Sequence, residues 1–156
     1  MAAKKMAIIA TKGALDMAYP PLILASTAAA LGWDVQVFFT FYGLQLLRKD
    51  LDSIKISPLA NPAMPMPVPI PVIVSVLPGM EAMATSMMKA KMKKKGVASL
   101  EELRDLCLEA DVKFIACQMT VDLFEFDKSD FIDKIEYGGA ATFMAFAGET
   151  DVCLFI

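Results

Sequence analysis

A chain of 156 residues that contains no histidine has few routes to nucleophilic chemistry, and its three cysteines, Cys107, Cys117 and Cys153, are the best nucleophiles it offers. Without imidazole, Ser-His-Asp hydrolysis, Cys-His proteolysis and histidine metal sites are closed unless a partner chain supplies the ring. The cysteines lack zinc-ligand spacing, and their odd count argues against a secreted disulfide framework. Neither a metal nor a cofactor is expected. Thiol chemistry is left, in which the thiolate is the species that attacks sulfur or peroxide.

The three thiols differ in setting. Cys107 shares helical spacing with Leu103, Leu106 and Ala110, which puts it on or beside an apolar face, where a cysteine is a small hydrophobe. Cys153 lies in the apolar run Val152 to Ile156 and reads as structural, with a second-thiol role as the alternative. Cys117 follows the strand-like run VKFIA and precedes a helix expected to begin near Met119 or Thr120. Chemistry in open α/β sheets gathers at the carboxyl ends of strands. The turn Gln118, Met119 and Thr120 would offer free amides that favour a thiolate. The plainer alternative for Cys117 is an inert cysteine at a strand end. Thr11-Lys12-Gly13 lacks the further glycines of a phosphate loop. Asp122, Glu125, Asp127 and Asp130 read as a solvated face, or as a docking surface for a basic partner.

These residues need a frame. AIIA (Ala7 to Ala10) reads as a buried strand, Ala14 to Leu31 as a helix, VQVFFT (Val35 to Thr40) as a second strand and Tyr42 to Lys49 as a second helix. Pro20 and Pro21 are expected in the first turn of a helix that becomes regular near Tyr19. Helices are also expected over Glu101 to Ala110, capped by Ser99 with Glu102, over Met119 to Phe126, over most of Lys128 to Glu136, and over Ala140 to Ala147. Val112 to Ala116 and Val152 to Ile156 read as strands. Strands apolar on both faces alternating with helices predict an α/β three-layer sandwich with a mainly parallel central sheet of about five strands.

A Pro/Met-rich insertion over about residues 57–96 interrupts that rhythm. Alternating prolines in MPMPVPIPV favour extended or polyproline II backbone. Met80 to Lys95 should be a helix, with Met80, Met83, Met87 and Met88 on one face and lysines late. Either the Met face packs on its own or a neighbouring subunit, or the helix makes peripheral contact with a membrane surface or a partner.

Composition bounds the rest. The length fits one domain over 1–156. Hydrophobic residues make up 56% and charged residues 21%, with a net charge of −3. The balance disfavours broad nucleic-acid binding, and the apolar surplus over a typical 45–50% suits a subunit interface. The uncharged stretches Met17 to Trp33 and Ile56 to Met80 carry prolines that a lipid-exposed helix cannot absorb. Residues 1–6 show no signal-peptide pattern, so a reducing cytoplasm is expected, with the inner face of the membrane as a peripheral site.

The ordered segments resemble a known family. IIATKGALDMAYPPLILASTAAALGWDVQVFFTFYGLQLL, NPAMP, LPGMEAMATSMMKAKM, SLEEL, ACQMTVDLFEF and GGAATF are similar to DsrE/DsrF-like (DsrEFH) sulfur-relay proteins, in the larger branch often labelled peroxiredoxin-like. The resemblance implies a compact α/β fold assembled as a homo-oligomer, a trimer or hexamer. It implies a sulfur carrier or sulfurtransferase that passes sulfane sulfur as a cysteine persulfide between TusA-like or rhodanese-like carriers. The family's carrier cysteine falls on Cys117, and Cys153 would be a second thiol. Two other readings stay open: a thiol peroxidase or disulfide reductase, and a non-catalytic assembly subunit.

Overall fold

The computed structural model describes residues 2–65 and 67–156. Strands β1 (Lys5–Ala10), β2 (Asp34–Phe39), β3 (Lys113–Cys117), β4 (Glu136–Gly138) and β5 (Val152–Phe155) form one sheet in the order β4-β3-β2-β1-β5, and every pairing is parallel. Parallel strands need crossovers, and helices supply them: α1 (Leu15–Ala30), α4 (Leu100–Glu109), α5 (Gln118–Leu123) and α6 (Ala140–Ala147). The short α2 (Val72–Ser75) and the longer α3 (Met80–Lys94) belong to the insertion. The expected α/β sandwich is thus the fold, with five strands.

The two faces of the sheet are covered unequally. Ile8, Val35, Val37, Phe39, Phe114 and Ala116 join the side chains of α1 and α4 in the main core. The opposite face, bearing Ala7, Phe38, Ile115 and Cys117, meets mainly Phe143 of α6. Phe143 stacks on Phe38 with ring centroids 5.0 Å apart. Strand alternation alone therefore sends Cys117 to the thinly covered side.

Several boundaries depart from expectation for physical reasons. Helix α1 starts at Leu15, so Pro20 and Pro21 sit inside it and forgo bonds to the Asp16 and Met17 carbonyls. Its first turn is anchored from outside instead: Leu15 N–H donates to the Lys55 carbonyl at 2.8 Å, and the Asp16 carboxylate accepts the Ser57 N–H at 2.8 Å. The expected second helix is a 3-10 segment over Phe41–Leu47, which buries Leu44, Leu46 and Leu47 together. Gly43 makes that path possible, since a Cβ there would lie 2.1 Å from the Ala10 carbonyl oxygen. Arg104 of α4 is buried and clips the end of this segment, donating to the Leu46 and Arg48 carbonyls at 3.2 and 2.6 Å. Ser99 and Glu102 form the expected capping box, at 3.1 and 2.7 Å.

The expected helix over Lys128 to Glu136 is mostly absent. Only Lys128–Asp130 makes a 3-10 turn, and the chain then runs extended into β4. Backbone bonds to the end of the Phe41–Leu47 segment outcompete helix formation: Lys49 N–H donates to the Asp130 carbonyl at 2.8 Å and Ile132 N–H to the Leu47 carbonyl at 3.0 Å, with Phe131 buried between. In the insertion, a short helix over Val72–Ser75 begins where the proline run MPMPVPIPV ends, and residue 66 of that run lies outside the described residues. Ile56 N–H donates to buried Thr85 Oγ1 of α3 at 3.0 Å. Met80, Met83, Met87 and Met88 of α3 line a cavity of about 340 Å³ with Leu59, Pro65 and Ile70, while Met83 and Met87 stay largely exposed.

Candidate functional site

Cys117 ends β3 and is the residue from which α5 departs. On one side it is paired with Gly138 of β4. On the other, the pairing of β2 with β3 ends at Phe39↔Ala116, so Thr40 comes next beside Cys117. The backbone of Cys117 is extended, which turns the amides of the following residues back towards the sulfur. Only six residues long, α5 acts through these local donors rather than through a helix dipole.

Burial pushes the Cys117 thiol up. Against that burial, the polar groups of Thr120 (hydroxyl and amide), the Thr40 hydroxyl and the Met119 amide favour the anion and bring its pKa below the ordinary cysteine value. The donors are themselves organised. Thr120 is fully buried, its Oγ1 lies 3.2 Å from Thr40 Oγ1, and Phe41 N–H donates to it at 3.3 Å. When the Phe41 N–H and the Thr40 hydroxyl both donate to Thr120 Oγ1, the Thr120 proton is left for the sulfur.

Of the expected turn, Thr120 and Met119 contribute and the Gln118 side chain does not. Gln118 Nε2 donates to Asp122 Oδ1 at 2.7 Å, and its Oε1 accepts from Lys128 Nζ at 3.0 Å. That ammonium also sits 4.2 Å from the centroid of the Tyr137 ring. Access is tight: Cys117 is only 5% exposed. Its neighbours on that face are Ile115, Phe38 and Phe143, so the sulfur lies under α6 rather than in an open cleft. Thr40 was not singled out by the sequence. A threonine closing an apolar strand carries no local signal; only the register puts it beside Cys117.

The other thiols are placed differently. Cys107 is fully buried, its Sγ donates to the Leu22 carbonyl at 3.4 Å, and burial pushes its pKa up to about 12. Cys153 is exposed on β5 opposite Ala7, which lies level with Gln36 and, through it, with Lys113. Cys153 is therefore three strand spacings across and four residues along from Cys117, about 20 Å at standard sheet dimensions. A disulfide needs Cα atoms within about 7 Å. The fold does not bring these two thiols of one chain together. Among the described residues, no group of three or more His, Cys, Asp or Glu side chains could hold a metal ion, and no helix is long and apolar enough to cross a membrane.

Residues 2–155 match the DsrE/DsrF/DrsH-like family. The chain is 66% identical over its full length, and over the full length of the relative, to a protein of Allochromatium vinosum called sulfur carrier protein DsrE2. It is 33% identical to the uncharacterized protein YrkE of Bacillus subtilis, with 98% of this chain and 97% of that one covered. Among solved structures, the ychN protein of E. coli is similar in fold, with a TM-score of 0.56 at 12% identity over 98% of this chain and 99% of that chain.

Proposed function

Because the chain belongs to the DsrE/DsrF/DrsH-like family, we propose that it is a sulfur carrier in which Cys117 holds sulfane sulfur as a persulfide. The Cys117 thiolate attacks the outer sulfur of a donor persulfide. One S–S bond forms as the donor's breaks, and the donor departs as a thiolate; delivery to an acceptor thiolate is the same exchange in reverse. No net oxidation occurs and no metal is required. Such exchange depends on thiolate fraction, leaving-group pKa and access. The observation that carries the reading is the donor set around Cys117, whose pKa lies low despite burial while that of Cys107 lies high. A relative named for sulfur carriage at 66% identity supports the same direction.

Donors and acceptors would be small thiol carriers of the TusA-like or rhodanese-like kind, in a reducing compartment such as the cytoplasm. A homo-oligomer is supported by the bare α6-side edge of the sheet, where Phe155 and Met144 are 75% and 58% exposed. The α3 helix, with Met83 and Met87 exposed beside its lysines, would suit peripheral contact with an anionic membrane. The register disfavours the alternative of a peroxidase that resolves through Cys153 of the same chain. The test is loading and chase: incubation with polysulfide should add sulfur mass to the intact protein, and an acceptor thiol should remove it. Equal loading of Cys117→Ser would defeat the proposal.

A further inference from the structure

A thiol that is 5% exposed cannot exchange sulfur with another protein unless that protein seats closely around it. The surface beside Cys117 is built for contact. Met119 and Leu123 of α5 are 60% and 59% exposed, and Tyr42, Phe41 and Phe124 are 66%, 44% and 36% exposed. The rings form a fixed platform: Tyr42 stacks on Phe124 at 6.0 Å, and Phe41 meets Phe124 edge-on at the same distance. Large contiguous apolar patches on a soluble surface mark interaction sites, and aromatic anchors are typical of their centres.

Two features tie the platform to the chemistry. Phe41 adopts φ +48°, a left-handed backbone that L side chains resist, and its N–H donates to the Thr120 hydroxyl that favours the Cys117 anion. The exposed ring and the buried sulfur therefore share one buried hydroxyl. The rim is acidic on balance: Asp122, Glu125 and Asp127 are exposed, against the single cation Lys128, whose ammonium is held by Gln118 Oε1.

We infer that Phe41, Tyr42, Phe124, Met119 and Leu123 form the docking surface for the protein thiol that exchanges sulfur with Cys117, and that this partner presents an apolar centre ringed by lysine or arginine. The inference rests on the carrier reading. Charge complementarity selects the occupant, since a symmetric pairing of two copies would set this acidic rim against itself.

The test uses synthetic thiol peptides: a Cys-Leu core flanked by arginines, the same core flanked by glutamates, and free cysteine as a small acceptor. Protein carrying Cys153→Ser is loaded with polysulfide, and sulfur on Cys117 is read by mass before the chase. The arginine peptide should unload it at least tenfold faster than the glutamate peptide. Tyr42→Ser, alone and with Phe124→Ser, should shrink that ratio to below threefold while free cysteine unloads all variants at one rate. Equal rates with the two peptides, or a ratio that survives both variants, would overturn the assignment. So would a dimer at low salt that Tyr42→Ser dissolves, because the patch would then be a contact between copies. Absence of sulfur on Cys117 before the chase would defeat the carrier reading instead. Fluorescence anisotropy with unloaded Cys117→Ser protein then still reads the surface: preferential binding of the arginine peptide, lost in Tyr42→Ser, supports it, and no preference overturns it.

Discussion

Replacing Thr120 by valine removes a hydroxyl while keeping shape, at a position with no solvent exposure. The hydroxyl makes the largest of the contributions that offset the burial of Cys117. A hydrogen bond to a charged group contributes about 1.5–3 kcal/mol. At 1.36 kcal/mol per tenfold change in protonation equilibrium, Thr120→Val should cut the thiolate fraction about tenfold to a hundredfold at pH values below the thiol's pKa. The sign follows from the direction of the native shift: donors that favour the anion are lost, so more base is needed to form it. The assay is the pH profile of Cys117 alkylation by iodoacetamide in a Cys153→Ser background. Its midpoint is independent of how often the site opens. The midpoint should move to higher pH in Thr120→Val and return in Thr120→Ser. The valine also leaves the Phe41 N–H without its acceptor, so the melting temperature should fall by the equivalent of about 1–3 kcal/mol. A folded Thr120→Val protein with an unchanged midpoint would refute the assignment of these donors to the sulfur.

Other consequences can be checked alongside. Cys107, with its pKa pushed up to about 12, should resist iodoacetamide at pH 8 in the native protein and react only in denaturant, as intact mass would show. Arg104→Ala leaves the Leu46 and Arg48 carbonyls without their buried donor and should cost about 1–3 kcal/mol in urea unfolding. Gly43→Ala places a methyl 2.1 Å from the Ala10 carbonyl oxygen and should cost more than any of these, with loss of soluble protein as the readout.

Much of this architecture is written locally. VQVFF, VKFIA and VCLFI announce strands by composition, and Ser99 with Glu102 marks a helix start within four residues. Cys117 could be singled out because strand end and helix start are adjacent in sequence. What was illegible depends on distant partners. EYG has little strand character of its own, and β4 exists because Glu136, Tyr137 and Gly138 pair with Ile115, Ala116 and Cys117. The Lys128 to Glu136 segment has helical composition, but the burial of Phe131, the Leu47 carbonyl and the Lys49 amide claim it. Thr40 reaches the site only through the register of β2 on β3, and the burial of Cys117 depends on α6, far along the chain. The place of the prolines within α1 depends on a distant partner too: the insertion, not a regular first turn, secures the start of that helix.

Cys117 is the residue that should hold the transferable sulfur, and one experiment reads this directly. Peptide mapping of polysulfide-treated protein by mass spectrometry, with free thiols blocked before digestion, tests it most directly. The added sulfur should map to the peptide holding Cys117, with Cys107 unmodified and Cys153 at most weakly labelled. Sulfur found on Cys153 while Cys117 remains a plain thiol would contradict the account.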